Sequence, residues 1–261
     1  MEIRLDGKHA LVLGASQGIG RAVALELAGL GASVTAAARD GSKLTNLLSQ
    51  ISRANGPSHR AITVDVIETA LLHSRISELA AEYPIDILVN NTGGPPPGPA
   101  HEAPIEAYEQ AFRQHLLAFQ AIVLAAVPGM KAQGHGRIIN IISTSVKQPL
   151  HDLGVSNTIR GAVAQWAKTL ANELGPHGIT VNNVLPGATG TERLRAIIRS
   201  KAAKHDIDEE VASRSMLDEI PLRRFGQPEE IAAAVAFLAG PSGAYINGIN
   251  LPVDGGRTGC L

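Results

Sequence analysis

Cysteine is almost missing from this chain: of its 261 residues, only Cys260 carries a thiol. One thiol cannot close an internal disulfide, so packing alone must hold the fold, and a reducing, cytoplasmic setting is expected. Aromatic residues are scarce at 3%, against 44% hydrophobic residues in all, which leaves Ala, Val, Ile and Leu to fill the core. Charge of one sign is not in excess either. With 23 Lys and Arg against 24 Asp and Glu, the net charge is −1, which argues against a nucleic-acid partner. No run reaches the roughly 18 uninterrupted apolar residues of a membrane span. The opening "MEIRLDGKHALVLGA" carries charges and no cleavage pattern, so no secretion signal is expected. Histidines are scattered outside any HExxH or Cys/His cluster, so no metal site is expected.

What the chain does have is a rhythm. Short β-like runs, "HALVLGA", "SVTAAA", "RAITVDV", "DILVNN", "GRIINIIS", "ITVNNVLPG" and "NLPVDGG", alternate with longer helix-like segments. Several runs are apolar on successive residues, as parallel strands buried on both faces require. The alternation predicts an α/β fold, a doubly wound parallel sheet of Rossmann type with right-handed crossovers. No repeat or linker divides it, and residues 1–261 read as a single domain. Two segments break the rhythm. "GGPPPGPAHEAP" (Gly93–Pro104) is too rich in Pro and Gly for helix or strand and must be a surface loop. Residues 189–223 form a long insertion whose "TERLRAIIRSKAAKH" looks helical, a candidate substrate lid. Both follow strand carboxyl ends, where open α/β sheets bind ligands.

"GASQGIG" puts Gly14, Gly18 and Gly20 directly after the first strand, opening the first helix. Glycine lets the backbone turn tightly against a pyrophosphate, whose charge is met by helix N-terminal amides. The spacing is GxxxGxG, not the general GxGxxG, so the strand–turn–helix context carries the nucleotide reading. The end of the second strand reads "AAARD". An NAD site usually has an acid there for the ribose 2′-hydroxyl, whereas Arg39 beside the small Ala38 suits a 2′-phosphate. NADP(H) is therefore favoured over NAD(H). Asp40 could instead pair with Arg39 or take the hydroxyl, and Arg39 could be a solvated surface arginine.

At "GASQGIG", "VDV", "NNTGG", "GRIINIIS", "VNNVLPG", "RFGQPEEIAAAVAFLAG" and "VDGG", the chain resembles the short-chain dehydrogenase/reductase family. It is most similar to the 3-oxoacyl-acyl-carrier-protein reductase-like members. The resemblance runs almost end to end and implies a seven-stranded parallel sheet, a homotetramer, and a small carbonyl or alcohol substrate, an acyl thioester among the candidates. Carried over by position, Gly14, Ala15, Ser16, Gln17, Gly18, Ile19 and Gly20 would hold the pyrophosphate. Asp65 and Val66 would meet the adenine, and Asn91 and Gly93 the adenosine side. Pro186, Gly187, Thr189 and Thr191 would surround the nicotinamide.

The family's catalytic Asn, Ser, Tyr and Lys carry over poorly. Counting from "PGMKAQGHGRI" puts His115 at the Asn position, and counting from "WAKTLANEL" puts Ser156 and Arg160 at the Tyr and Lys positions. Only the serine, Ser143, matches. Ser156 and Arg160 are four apart on an expected helix and share a face. Ser156 or Asn157 could instead cap this helix while Arg160 makes an ordinary salt bridge. As a catalytic set, Ser143 and Ser156 would donate hydrogen bonds to a developing alkoxide while Arg160 stabilised its charge. Neither serine nor arginine is a credible general acid at neutral pH. The proton would then come from water or from another group, Lys147 first and His115 second, with His151 in the loop leading to Ser156; the alternatives are a solvated lysine and packed or exposed histidines. A second function class stays open: an NADP(H)-binding sensor, scaffold or partner subunit without hydride transfer. The basic stretch Arg193, Arg195, Arg199, Lys201 and Lys204 could draw an anionic carrier over the site, or simply be the solvated face of a lid helix.

Overall fold

The computed structural model describes residues 3–51 and 56–260. All seven β-like runs form strands of one parallel sheet. In chain order, β1 (His9–Leu13) leads into α1 (Gly18–Gly29), β2 (Ser33–Ala38) into α2 (Gly41–Ile51), and β3 (Arg60–Thr63) into α3 (Thr69–Glu82). β4 (Ile87–Asn90) is followed by α4 (Ile105–Phe112), a π-helical turn at Arg113–Leu117, and α5 (Ala118–Gln133). Then come β5 (Gly136–Ile141), α6 (Gly154–Leu174) and β6 (Ile179–Pro186). The pair α7 (Glu192–His205) and α8 (Glu209–Asp218) precedes α9 (Pro228–Ala239) and β7 (Asn250–Val253).

The sheet order is β3-β2-β1-β4-β5-β6-β7. It reverses between β1 and β4, so the crevice for a ligand opens above the carboxyl ends of those two strands. Side-chain alternation along each strand supplies two cores. Ala10 and Val12 of β1 pack with Leu27, Leu44 and Val235 on one face. Leu11 and Leu13 pack with Leu72, Ile76, Phe119 and Val163 on the other. Burial on both faces explains why these strands read as unbroken apolar runs.

One device within the sheet is polar. Asn90, Asn140, Asn183 and Asn250 stand opposite one another on β4 to β7. Asn90 Nδ2 donates to Asn140 Oδ1 over 2.8 Å, Asn140 Nδ2 to Asn183 Oδ1 over 2.9 Å, and Asn183 Nδ2 to Asn250 Oδ1 over 2.8 Å. Asn90 and Asn140 are fully buried, so a slip of one residue would break these amide pairs within the core. The ladder holds the register of four strands.

The expected loop after β4 is mostly irregular, with one short 3₁₀ turn at Ala100–Glu102. It is stitched to the loop before α6, where Gly98 N donates to Asp152 O and Gly154 N to Gly98 O. The expected helix in 189–223 is α7, capped by Thr191, whose Oγ1 accepts from Leu194 N. A second helix, α8, follows it. Its start, Asp208 before Glu209 and Glu210, had the acidic first turn of a helix N-terminus.

Candidate active site

A cavity of about 1680 Å³ lies over the sheet's carboxyl edge, from the glycine turn after β1 to α7 and α8. Its nucleotide end is built by glycine. Gly14 and Gly18 have φ of +62° and +56°, and a Cβ on Gly20 would sit 2.2 Å from Gly14 O. The turn can close this tightly only without side chains. α1 begins at Gly18 with no side-chain cap and no acid in its first turn, leaving its amides for an anion. These features fit a dinucleotide pyrophosphate.

Most of the cofactor residues expected from the sequence line this cavity: Gly14, Ser16, Gln17, Gly18, Ile19, Arg39, Asp65, Val66, Asn91, Gly93, Pro186, Gly187, Thr189 and Thr191. Two do not. Ala15 is fully buried, with its N–H bonded to Ala37 O, and Gly20 serves the packing of the turn. Asn91 has a structural task as well as its place on the cavity wall. Its Nδ2 donates to Leu13 O and Gly14 O, bracing the turn from beneath.

Arg39 is exposed, with Asp65 3.9 Å from its Nη1. Asp40 is not the partner of Arg39. Its Oδ1 accepts from Ser42 Oγ at 2.7 Å and Lys43 N at 3.1 Å, fastening the start of α2. The Ser42 hydroxyl, then the Lys43 amide, hold its carboxyl below the usual aspartate range. Lys43 itself lines the cavity, with Nζ 3.0 Å from Gln17 Oε1. It was not singled out from the sequence, although its place on the first turn of α2 beside "ARD" was a signal.

Ser143, Ser156 and Arg160 line the same cavity at its other end. Ser143 follows β5, its Oγ accepting from Ser145 N at 3.1 Å. Ser156 and Arg160 lie on the buried face of α6 and are only 9% and 5% exposed. The helix-cap alternative fails for Ser156: the N-cap of α6 is Leu153, and it is Asn157 that ties the preceding loop, donating to Leu150 O at 2.8 Å. The ion-pair alternative fails for Arg160. It donates from Nη1 to Ile141 O at 3.1 Å, its Nε has no partner, and no carboxylate among the described residues pairs with it. Burial, and then the charge of Arg193, push its pKa down to about 10, so it remains a cation at neutral pH.

The two expected proton donors require correction. His115 is fully buried and does not line the cavity. The π-helical turn aims it inward, where Nδ1 shares a hydrogen bond with Thr92 Oγ1 and the ring packs edge-on against Phe119. Burial, and then Arg160, push its pKa down to about 2, so no imidazolium proton is held there at neutral pH. Lys147 also lies outside the cavity wall, carried past it by the 3₁₀ turn at Thr144–Val146. His151 does line the cavity. Of the five cations expected on the lid, Arg193, Lys201 and Lys204 line it and Arg195 and Arg199 do not.

A parallel seven-stranded sheet with a glycine turn at its switch point defines a Rossmann-type nucleotide-binding domain. The chain belongs to the short-chain dehydrogenase/reductase family. The family model described as enoyl-(acyl carrier protein) reductase matches residues 14–258. A 3-oxoacyl-acyl-carrier-protein reductase of Escherichia coli is 34% identical over 259 residues, covering 97% of this chain and 98% of that protein. The 7alpha-hydroxysteroid dehydrogenase of the same species is 30% identical over 257 residues, covering 97% of this chain and 95% of that protein. Among solved structures, L-sorbose reductase from Gluconobacter frateurii, complexed with NADPH and L-sorbose, superposes with a TM-score of 0.92 at 30% identity. That match covers 100% of both chains.

Proposed function

We propose that the chain is an NADP(H)-dependent oxidoreductase that interconverts a carbonyl and an alcohol, using Ser143, Ser156 and Arg160. The observation that carries this reading is Arg160: a buried guanidinium, paired with no carboxylate among the described residues, at the wall of a cavity that Ser143 and Ser156 also line. NADP(H), when bound, supplies or accepts the hydride. The glycine turn and the free amides of α1 would hold its pyrophosphate, and Arg39 with Lys43 would meet its 2′-phosphate. Reduction puts negative charge on the carbonyl oxygen. Ser143 and Ser156 would donate hydrogen bonds to that oxygen and Arg160, held 5% exposed at the cavity wall, would stabilise its charge. The alcohol also needs a proton. Arg160 keeps its own, so the proton comes from solvent in the open cavity or from His151 on its wall.

A second reading is favoured by the replacement of the family's Tyr and Lys: a silent NADP(H)-binding sensor, scaffold or partner subunit. Single-turnover NADPH oxidation across a carbonyl panel, 3-oxoacyl thioesters included, separates the two. Oxidation with any member supports the enzyme, and none across the panel supports the binding protein. The proposal includes assembly as a homotetramer, supported by the exposed apolar Ile105, Phe112, Leu117 and Leu124 along α4 to α5. Sedimentation velocity tests it.

A further inference from the structure

The cavity's carboxylates are already spoken for. At its lid end Asp152 pairs with Lys204, Glu192 with Arg195 and Glu219 with Arg257. Two arginines on the same wall have no such partner among the described residues. Arg160 makes the single bond to Ile141 O, and Arg193 donates from Nη2 to Pro95 O at 2.5 Å. Arg160 is 5% exposed and Arg193 is partly buried beneath the loop after β4, its Nη2 3.3 Å from where a Cβ on Gly94 would lie. Each is pushed below the usual arginine range by burial, and Arg160 further by Arg193 itself. Two cations that line one cavity, one buried and one partly buried, with donors left over, are stabilised when an anion lies between them. Guanidinium groups suit a planar carboxylate because they can offer it paired N–H donors.

We infer that the substrate end of the cavity selects short 2- or 3-oxo acids and the matching hydroxy acids, with the carboxylate held between Arg160 and Arg193. The inference rests on the oxidoreductase reading for the reacting carbonyl, and on the paired arginines alone for the carboxylate. In a short oxo acid the two groups are one or two bonds apart, so Arg160 can serve both. Reduction would consume the oxo acid, NADPH and one proton, and give the hydroxy acid and NADP⁺. The cavity is larger than such a substrate needs because it also has to take the dinucleotide.

The test is calorimetric titration of the NADP⁺-loaded full-length protein with 2-oxobutanoate and 3-oxobutanoate, and with their methyl esters. At least one acid is expected to bind tenfold or more tightly than its ester, with the preference shrinking as salt rises. Arg193→Gln should reduce that ratio about tenfold and Arg193→Lys should restore part of it. Arg193 lies in the first turn of a lid helix, so its substitution spares the core. Arg160→Met, checked for folding by circular dichroism, should reduce the ratio as well. Equal binding of acids and esters overturns the inference. So does an acid preference that Arg193→Gln leaves intact, which would put the anion elsewhere or give Arg193 to the cofactor. Tighter binding of dihydroxyacetone phosphate than of either acid also overturns it, in favour of a phosphate site. Acids that bind without any NADPH oxidation support the anion site and defeat the oxidoreductase reading. Esters that are reduced while acids fail to bind do the reverse.

Discussion

Arg160 reaches from α6 to the last residue of β5, donating from Nη1 to the carbonyl oxygen of Ile141 over 3.1 Å. That carbonyl lies two residues before Ser143, so the bond fixes the cation next to the strand end that Ser143 follows. Arg160→Met keeps much of the side chain's length and removes its charge and donors. The expected loss in kcat is about 10²–10³, the scale of one deleted oxyanion donor. Saturating NADPH with an accepted carbonyl, in single turnover, measures it. An unchanged rate would give Arg160 a purely structural role.

The same substitution has a signed effect on stability. The folded-state pKa of Arg160 is pushed down to about 10, so the unfolded chain holds this proton more tightly than the folded one. The cation therefore costs stability at every pH below about 10, and the cost fades as pH rises towards the ordinary arginine value. Arg160→Met should leave Tm unchanged or raise it at pH 7, and the difference should narrow above pH 10. Thermal melts at pH 7 and pH 10.5 decide it. A large drop in Tm at pH 7 would contradict the account.

NADPH should bind more tightly than NADH. Arg39→Ala should reduce the preference by about 1.5–3 kcal/mol, the worth of a hydrogen bond to a charged group. Lys43→Ala should reduce it further, since Lys43 lines the same end of the cavity. Fluorescence titration with both nucleotides measures the preference, and equal affinities in the unmodified protein would remove the assignment.

Glu230 accepts from Arg224 Nη2 and Nη1, at 2.6 and 2.7 Å, and from Gln227 N at 2.8 Å, closing the capping box of α9. The Arg224 hydrogen bond, and then the Gln227 amide, hold its carboxyl down at about 2. A depressed carboxylate stabilises above its unfolded pKa, and that stability is lost as pH falls through the folded one. Glu230→Gln should lower Tm at pH 7, and the gap to the unmodified protein should shrink steadily below pH 4.5. A gap independent of pH would show that the charge plays no part.

Asn140 is the ladder member with two amide neighbours. Asn140→Leu would strand the Asn90 Nδ2 donor and the Asn183 Oδ1 acceptor in the core. At about 1–3 kcal/mol for each unsatisfied group, the expected loss is about 2–6 kcal/mol in denaturant unfolding. A loss under 1 kcal/mol would mean that water reaches the amides.

The strands were legible because burial on both faces leaves a plain mark, a continuous apolar run such as "HALVL" or "ILVN". The glycine turn was legible from its place between strand and helix. His115 was locatable by counting along the motif, but its direction depended on the π-helical turn at 113–117, which no apolar periodicity announces. The four ladder asparagines were visible as residues, yet their alignment exists only once the register is known. Arg193 was hidden among five basic residues. The spacing of 193, 197, 201 and 204 marks the face of α7 that meets the cavity, a helical period that the charge count had obscured.

The asparagine ladder also sets a shared height. Asn91, Ser143, Pro186 and Asp254 sit at or just beyond the carboxyl ends of β4, β5, β6 and β7, strands which the ladder locks to one another. A site assembled from separate strand ends inherits any misalignment between them, so its tolerances are decided one layer below, by amides out of reach of the ligand. A defect there would appear as imprecise geometry in the cavity above, with every residue of the site still present.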